Sequence, residues 1–542
     1  MSATRRGAWQ GIAGGATLIA VVTILARVAG FARWAVFSPA VGSTAVGSAY
    51  TAANALPNVL FEVAAGGALA GAVVPLLAGR LATGKQEEAG RIGACLLTWA
   101  LTVLVPLAAV LALAAGPISR ALLDASVEAA HPGTRELARQ LIVIFAVQVP
   151  LYGVGVIAGG VLQAAKRFFW PAFAPVLSSL TVMATYWWYA SLAGAAAPGT
   201  VPAAAVRVLG WGTTTGVALL TLPLVIPAAR RGLGLKPQWR FPPGVARQAM
   251  GLAGAGLGAL LAQQLFVVTV VWLAGNHGEA GTLPLYHYAQ AVYLLPYAVL
   301  AVPLATAAFP HLSAAAHAKD WPAVERATAA TTRVMLACAA LGSGLLYAAA
   351  PAVEAAFGSI DRSRDVAGLG AALSWFAPGL IGYALMAHLQ RVLYAAGRPR
   401  PAVAGAAAGW LLAALAGAGL ALAGPPAHTV VGIAQGTCLG MLVGGAWLLV
   451  ATWRSLGRAA LAAVAWTGLI ALAGSAAGAT LGRLVADALL GEAEVGGWTG
   501  LWRALGSGVV AAAVVAAALA AVVAAFDRGL IKALRPGRQV AT

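Results

Sequence analysis

Two arginines, Arg27 and Arg33, lie in a stretch that is otherwise apolar, LARVAGFAR at 25–33, and no charge precedes them back to Ala8. A charge at the centre of a membrane helix costs roughly 2.5–3.5 kcal/mol on insertion scales, so a pair within two helical turns calls for a reason. Glu62 is the only other charge expected deep in an apolar span. Around it on the same span stand Tyr50, Asn54 and Asn58; Gln263 and Gln264 follow on a later span, and His287 and Gln290 one turn apart on the next. An Arg27–Glu62 ion pair would tie two helices together. The amides could equally serve interhelical hydrogen bonds. Two arginines against one glutamate still leave excess positive charge. Guanidinium binds phosphate in a bidentate way, so the chemistry this set offers is capture of an anionic head group rather than bond making.

No catalytic constellation competes with that reading. There is no H-E-x-x-H, no G-x-S-x-G and no Cys/His cluster, so neither an enzyme, a metal nor a cofactor is expected. GRLATGKQ at 79–86 approaches a phosphate-binding loop but ends in Gln86, lacks the magnesium-binding hydroxyl and follows a helix. Cys95, Cys338 and Cys438 fall in apolar spans without C-x-x-C spacing and read as small core residues.

The elements that must position these residues are membrane helices. The chain has 542 residues, 61% hydrophobic and 9% charged, against about 25% charged in a soluble domain. Uncharged segments of about twenty residues recur throughout, long enough to cross a hydrocarbon core as helices. The expected class is therefore an all-α polytopic membrane protein with fourteen spans. They are placed at 8–37, 44–78, 92–115, 137–164, 168–193, 205–229, 244–274, 282–312, 327–350, 367–395, 401–423, 428–453, 459–483 and 500–526. The second and eighth contain Pro57, Pro75, Pro296, Pro303 and Pro310 and are expected to bend or break.

Loop charge supports the count. With both termini cytoplasmic, inside segments hold 24 of the 34 Lys and Arg, outside segments eight, and Arg27 and Arg33 complete the set. The net charge of +18 is thus spread over short loops and the tail (Lys532, Arg535, Arg538), and implies contact with membrane lipids rather than nucleic acid. Phe168-Phe169-Trp170 and Tyr186-Trp187-Trp188-Tyr189 at the two ends of the fifth span are expected at the interfaces. G-x-x-x-G occurs at Gly67–Gly71, Gly254–Gly258, Gly436–Gly440 and Gly440–Gly444, where small residues let helices pack closely.

LQAAKRFFWPA at 162–172 returns as LYAAGRPRPA at 393–402, and ALPNVL at 55–60 is echoed by LLPYAV at 294–299. The near-constant offset points to two related six-helix lobes, 1–232 and 233–455, with 456–542 holding two extra helices and a basic tail. Such repeats mark transporters.

ARVAGFAR followed by ALPNVLFEVAAGGALAGAVVPLLA, together with YAQAVYLLPYAVLAVPLATAAFPHLS at 288–313, resembles the MurJ/MviN lipid II flippases of the MOP exporter superfamily. The resemblance runs from about residue 8 to 530. It implies two lobes in a V around a cationic cavity, with the last two helices forming a groove for the lipid tail. It also implies movement of undecaprenyl-diphosphate-linked peptidoglycan precursor from the inner to the outer leaflet of the bacterial cytoplasmic membrane. Arg27 and Arg33 match the family's paired cavity arginines, which contact the diphosphate. The implied site is Arg27, Arg33, Glu62, Asn54, Asn58, Gln290 and His287. The family is usually treated as monomeric, and cell-wall synthesis proteins are expected as further partners of this chain.

The departures are specific. Phe61 and Glu62 stand where proteobacterial members have two arginines; Ser48 and Gly66 replace acidic residues, and Ala291 replaces an arginine. This resembles the actinobacterial branch. Two other readings remain open: an exporter of another polyprenyl-linked glycan or small amphiphile, and a non-transporting scaffold in cell-wall synthesis.

Overall fold

The computed structural model describes residues 3–63, 67–254, 257–491, 496–527 and 529–530. Gly66 and the tail residues Lys532, Arg535 and Arg538 lie outside the described residues. Every regular element among the described residues is helical, with no strand. The chain divides into two compact units, Met1–Leu260 and Leu261–Thr542.

The first unit opens with α1 (Ala3–Ala40), α2 (Ala45–Phe61), α3 (Gly67–Ala82) and α4 (Gln86–Leu113). Three short elements follow, α5 (Ala115–Leu122), α6 (Ala125–Ala130) and α7 (Thr134–Ala146). Then come α8 (Gln148–Ala164), α9 (Phe169–Ala193), α10 (Ala203–Ala229) and α11 (Val245–Gly254). The Thr44 hydroxyl caps α2 by accepting from the Gly47 amide at 3.1 Å. The core of this unit is aromatic: Phe37, Tyr50, Phe145 and Tyr186 are buried against one another with ring centroids 5.2–5.8 Å apart. After α10 the chain straps along α4. The Gln238 amide donates to Thr98 Oγ1 at 2.9 Å, and Trp99 Nε1 donates to the Trp239 carbonyl at 3.1 Å.

The second unit contains α12 (Leu257–Asn276), α13 (Thr282–Pro296), α14 (Val302–His317), α15 (Trp321–Ile360) and α16 (Leu369–Ala395). It continues with α17 (Pro399–Ala423), α18 (Thr429–Leu456), α19 (Val464–Leu490) and α20 (Gly497–Phe526). A π-helical turn, Tyr297–Ala301, joins α13 to α14. Its cause is Pro303, which has no N–H to give the Val299 carbonyl and whose ring crowds that oxygen. The eighth span is therefore interrupted, as its prolines predict. In the second span a π-turn begins at Glu62, and α3 resumes at Gly67.

Small residues set the closest helix contacts. A Cβ on Gly436 would overlap the Gly417 backbone of α17, and one on Gly440 would overlap Gly409 and Ala413. The first two glycines of that G-x-x-x-G-x-x-x-G run thus seat α18 directly on α17, and a Cβ on the third, Gly444, would lie 3.1 Å from the Gly409 Cα. Gly478 and Gly482 do the same for α19 against Val515 and Ala511 of α20.

Twelve helices among the described residues are long and apolar enough to cross a membrane. The remaining two expected spans are also helical: one is the interrupted α2–α3, the other α9, whose Trp, Tyr and Pro content lowers its hydropathy. One detail differs from expectation. Trp187 and Trp188 of α9 face outward, 77% and 59% exposed, but Tyr186 and Tyr189 are buried. Residues three apart share a helix face, so the tyrosine pair turns inward while the tryptophans meet the surroundings.

Candidate functional site

The candidate residues of the first unit sit on α1 and α2. Arg27 is exposed and Arg33 half-buried, its guanidinium carbon 5.8 Å from the Trp34 ring centroid. Six residues of helix separate the pair by about 9 Å along the axis and about 120° around it. They therefore leave the helix from different faces. Arg33 lies within electrostatic reach of the buried Tyr50 and Tyr186 and of the half-buried Tyr152.

On α2, Tyr50, Asn54, Asn58 and Glu62 recur every fourth residue, and the observed helix turns that spacing into a polar stripe. Exposure changes along it. Tyr50 is buried, Asn54 and Glu62 are partly covered, and Asn58 is exposed. Asn58 Nδ2 donates to the Asn54 carbonyl at 3.1 Å, and the Glu62 amide closes the helix on the Asn58 and Val59 carbonyls. The buried end is fixed by hydroxyls: Tyr50 Oη lies 2.9 Å from Tyr186 Oη and 3.1 Å from Thr213 Oγ1. No ion pair joins Arg27 or Arg33 to Glu62 among the described residues.

In the second unit, His287 and Gln290 are half-buried on α13. Gln290 Nε2 donates to Tyr286 Oη at 3.0 Å, and the His287 ring lies 5.6 Å from that of Tyr286. An aromatic row continues through Phe376, Tyr293, Tyr383 and Tyr297, with neighbouring centroids 4.6–6.2 Å apart. Gln264 is buried on α12 and Gln263 half-buried.

Sequence reasoning misses two polar centres. One is the Tyr50–Tyr186–Thr213 group. The other joins α15, α19 and the end of α20. There Arg333 Nε donates to Thr467 Oγ1 at 2.7 Å and its NH2 group to Asp527 Oδ1 at 2.7 Å. Thr467 Oγ1 in turn donates to Asp527 Oδ2 at 2.5 Å. Burial would raise the Asp527 pKa, but the hydrogen bonds from Thr467, Arg333 and the Leu530 amide outweigh it and hold the carboxyl below its ordinary value. Only an acid one residue beyond an apolar span and a lone arginine near the start of another signalled this group.

Among the described residues no group of His, Cys, Asp and Glu is placed to hold a metal ion. The arrangement can bind and screen a charge; it has no paired nucleophile and base. Long apolar helices in two units, with cations and amides on the helix faces, define an all-α polytopic membrane protein. A solved lipid II flippase MurJ in an inward closed conformation shares this fold with a TM-score of 0.68 at 18% identity, over 95% of this chain and 100% of that one. So does an inward-facing multidrug resistance MATE family transporter, with a TM-score of 0.63 at 14% identity, over 83% and 99%. Residues 37–496 match the family model for lipid II flippase MurJ, and the chain belongs to that family. It is a multi-pass membrane transporter, not an enzyme.

Among curated relatives, a probable lipid II flippase MurJ of Synechocystis sp. is 26% identical over 405 residues, covering 70% of this chain and 71% of its own. The lipid II flippase MurJ of Burkholderia cenocepacia is 29% identical over 398 residues, covering 69% and 71%. The family match begins at Phe37, so Arg27 and Arg33 lie upstream of it.

Proposed function

We infer that this chain is a lipid II flippase of the bacterial inner membrane, moving the undecaprenyl-diphosphate-linked peptidoglycan precursor from the inner to the outer leaflet by alternating access. Family membership supports the cargo and the reaction. The observation that carries the site is the pair of α1 arginines, which have no carboxylate partner among the described residues, in the same unit as the polar stripe on α2.

In this reading Arg27 and Arg33 grip the diphosphate. Asn54 and Asn58 offer amides to the head group, and Glu62 sets the charge of the site when it is empty. His287 and Gln290 contact the sugar or peptide from the second lobe. The lobes are 1–232 and 233–455, followed by the two additional helices in 456–542. Both termini face the cytoplasm, the orientation favoured by the loop charges, and the working unit is a monomer that meets cell-wall synthesis proteins in the membrane. The prenyl chain stays in the bilayer, so the protein shields only the polar head.

The test is complementation. The host's essential flippase is depleted and this chain expressed, wild type or Arg27→Ala/Arg33→Ala, while lipid II exposed on the outer leaflet is assayed. Restoration by wild type alone supports the grip. Restoration by both assigns the arginines to the fold. Failure of both, with normal membrane levels, means a different cargo. Phe61 and Glu62, which stand where two arginines are expected from proteobacterial members, favour another polyprenyl-linked glycan as that second reading.

A further inference from the structure

One groove lies away from every residue discussed so far. It runs along the outer face of α17 and α18, with a volume of about 630 Å³. Val443, Ala446, Trp447 and Val450 form its apolar wall, and Arg400 and Arg454 stand together at one end. Arg400 lies in the first turn of α17 and Arg454 in the last turn of α18, so the antiparallel pair brings both to the same end of the bundle.

Three features say what fills it. First, the charge is unbalanced. No Asp or Glu occurs between Asp365 and Asp487, and among the described residues neither guanidinium is paired with a carboxylate. Second, the wall is exposed and apolar: Val443, Trp447 and Val450 are 43%, 49% and 43% exposed on helices that cross the membrane. Third, the length fits. From Arg454 to Val443 is about 16 Å of helix at about 1.5 Å per residue, close to the ~15 Å depth of one leaflet.

We propose that this groove is a binding site for an anionic glycerophospholipid, its phosphate held by Arg400 and Arg454 and one acyl chain lying along Trp447 towards Val443. Guanidinium suits the phosphodiester because it offers a planar fork of donors, and basic recesses between membrane helices favour anionic head groups. The inner-leaflet address of this lipid rests on the orientation proposed above; the match of groove to head group does not. Site and cargo grip are on different units of the chain, so each can fail alone.

The experiment is native mass spectrometry of the full-length purified protein titrated with phosphatidylglycerol or phosphatidylcholine. Wild type is expected to retain phosphatidylglycerol in preference to phosphatidylcholine. Arg400→Gln/Arg454→Gln is expected to bind it about tenfold more weakly, and the double lysine variant, which keeps the charge but loses the planar fork, is expected to fall between that variant and wild type. Ala446→Trp, which fills the groove and leaves both arginines, is expected to lose it as well, and covers the case in which the glutamine variant fails to fold. Arg27→Ala is expected to retain the lipid as wild type does, whatever its transport activity. Equal retention of the two lipids, or unchanged retention in both the glutamine and tryptophan variants, overturns the site. So does one-for-one displacement of phosphatidylglycerol by lipid II that disappears with Arg400 and Arg454, since the groove would then belong to the cargo.

Discussion

The Arg333 guanidinium lies 2.7 Å from the Asp527 carboxylate, although 194 residues separate them in the chain. Asp527 is 4% exposed and Arg333 18%. Removing the cation strands a buried carboxylate. Arg333→Ala is therefore expected to cost about 3 kcal/mol, read as a lower unfolding temperature in detergent. Asp527→Asn keeps the volume and is expected to cost less.

The same pair sets a pH dependence. The Asp527 carboxyl has a lower pKa in the folded protein than in the unfolded chain. Its contribution is thus complete above the ordinary carboxylate range and is lost as pH falls through the lowered folded value. Thermal unfolding followed from neutral pH to below about pH 4 is expected to decline more steeply in wild type than in Asp527→Asn. Equal slopes would assign the acid sensitivity to other groups.

Tyr50 holds Tyr186 and Thr213 through one hydroxyl. Tyr50→Phe keeps the ring packing and leaves those two hydroxyls without their shared partner, at a cost of about 1–2 kcal/mol. A double-mutant cycle with Thr213→Ala is expected to show coupling, because the two substitutions remove the same bond.

Gly436 and Gly419 give a matched pair of tests. A Cβ at Gly436 meets the Gly417 backbone, whereas one at Gly419 meets nothing within 4 Å. Gly436→Ala is expected to push α17 and α18 apart and destabilise by about 1–3 kcal/mol. Gly419→Ala, in an open helix interior, is expected to stabilise by about 0.5–1 kcal/mol. Similar unfolding temperatures for the two variants would remove the close contact as a source of stability.

Glu62 is half-covered and free of any ion pair with Arg27 or Arg33. Glu62→Gln is accordingly expected to change stability by less than about 0.5 kcal/mol while lowering outer-leaflet lipid II in the complementation assay. A large loss of stability would make Glu62 a structural residue instead.

Much of this architecture is legible in the sequence. Uncharged apolar runs mark the helices, because the bilayer admits little else, and the prolines of the eighth span mark a bend or break there, though not that it takes the form of a π-turn before Pro303. Tyr50, Asn54, Asn58 and Glu62 could be placed on one face from their spacing of four. What was not legible depends on contacts between distant segments. Nothing local to Thr213 or Tyr186 says that their hydroxyls meet Tyr50, and Asp527 reads as an ordinary acid after a span until α15 brings Arg333 to it. Tyr186 and Tyr189 were misplaced for a related reason: an aromatic cluster at a helix end announces an interface, and only the neighbouring helices decide which rings turn inward.

The attachments of α20 have a consequence for the chain's continuity. Its apolar face packs on α19 and α15 through Ala511 and Val515, and its end is clamped through Asp527. None of these contacts uses the connection between α19 and α20. A chain severed there is expected to reassemble from two separately synthesised fragments, because each inserts as intact helices and recognition between them lies in side chains rather than in the covalent join.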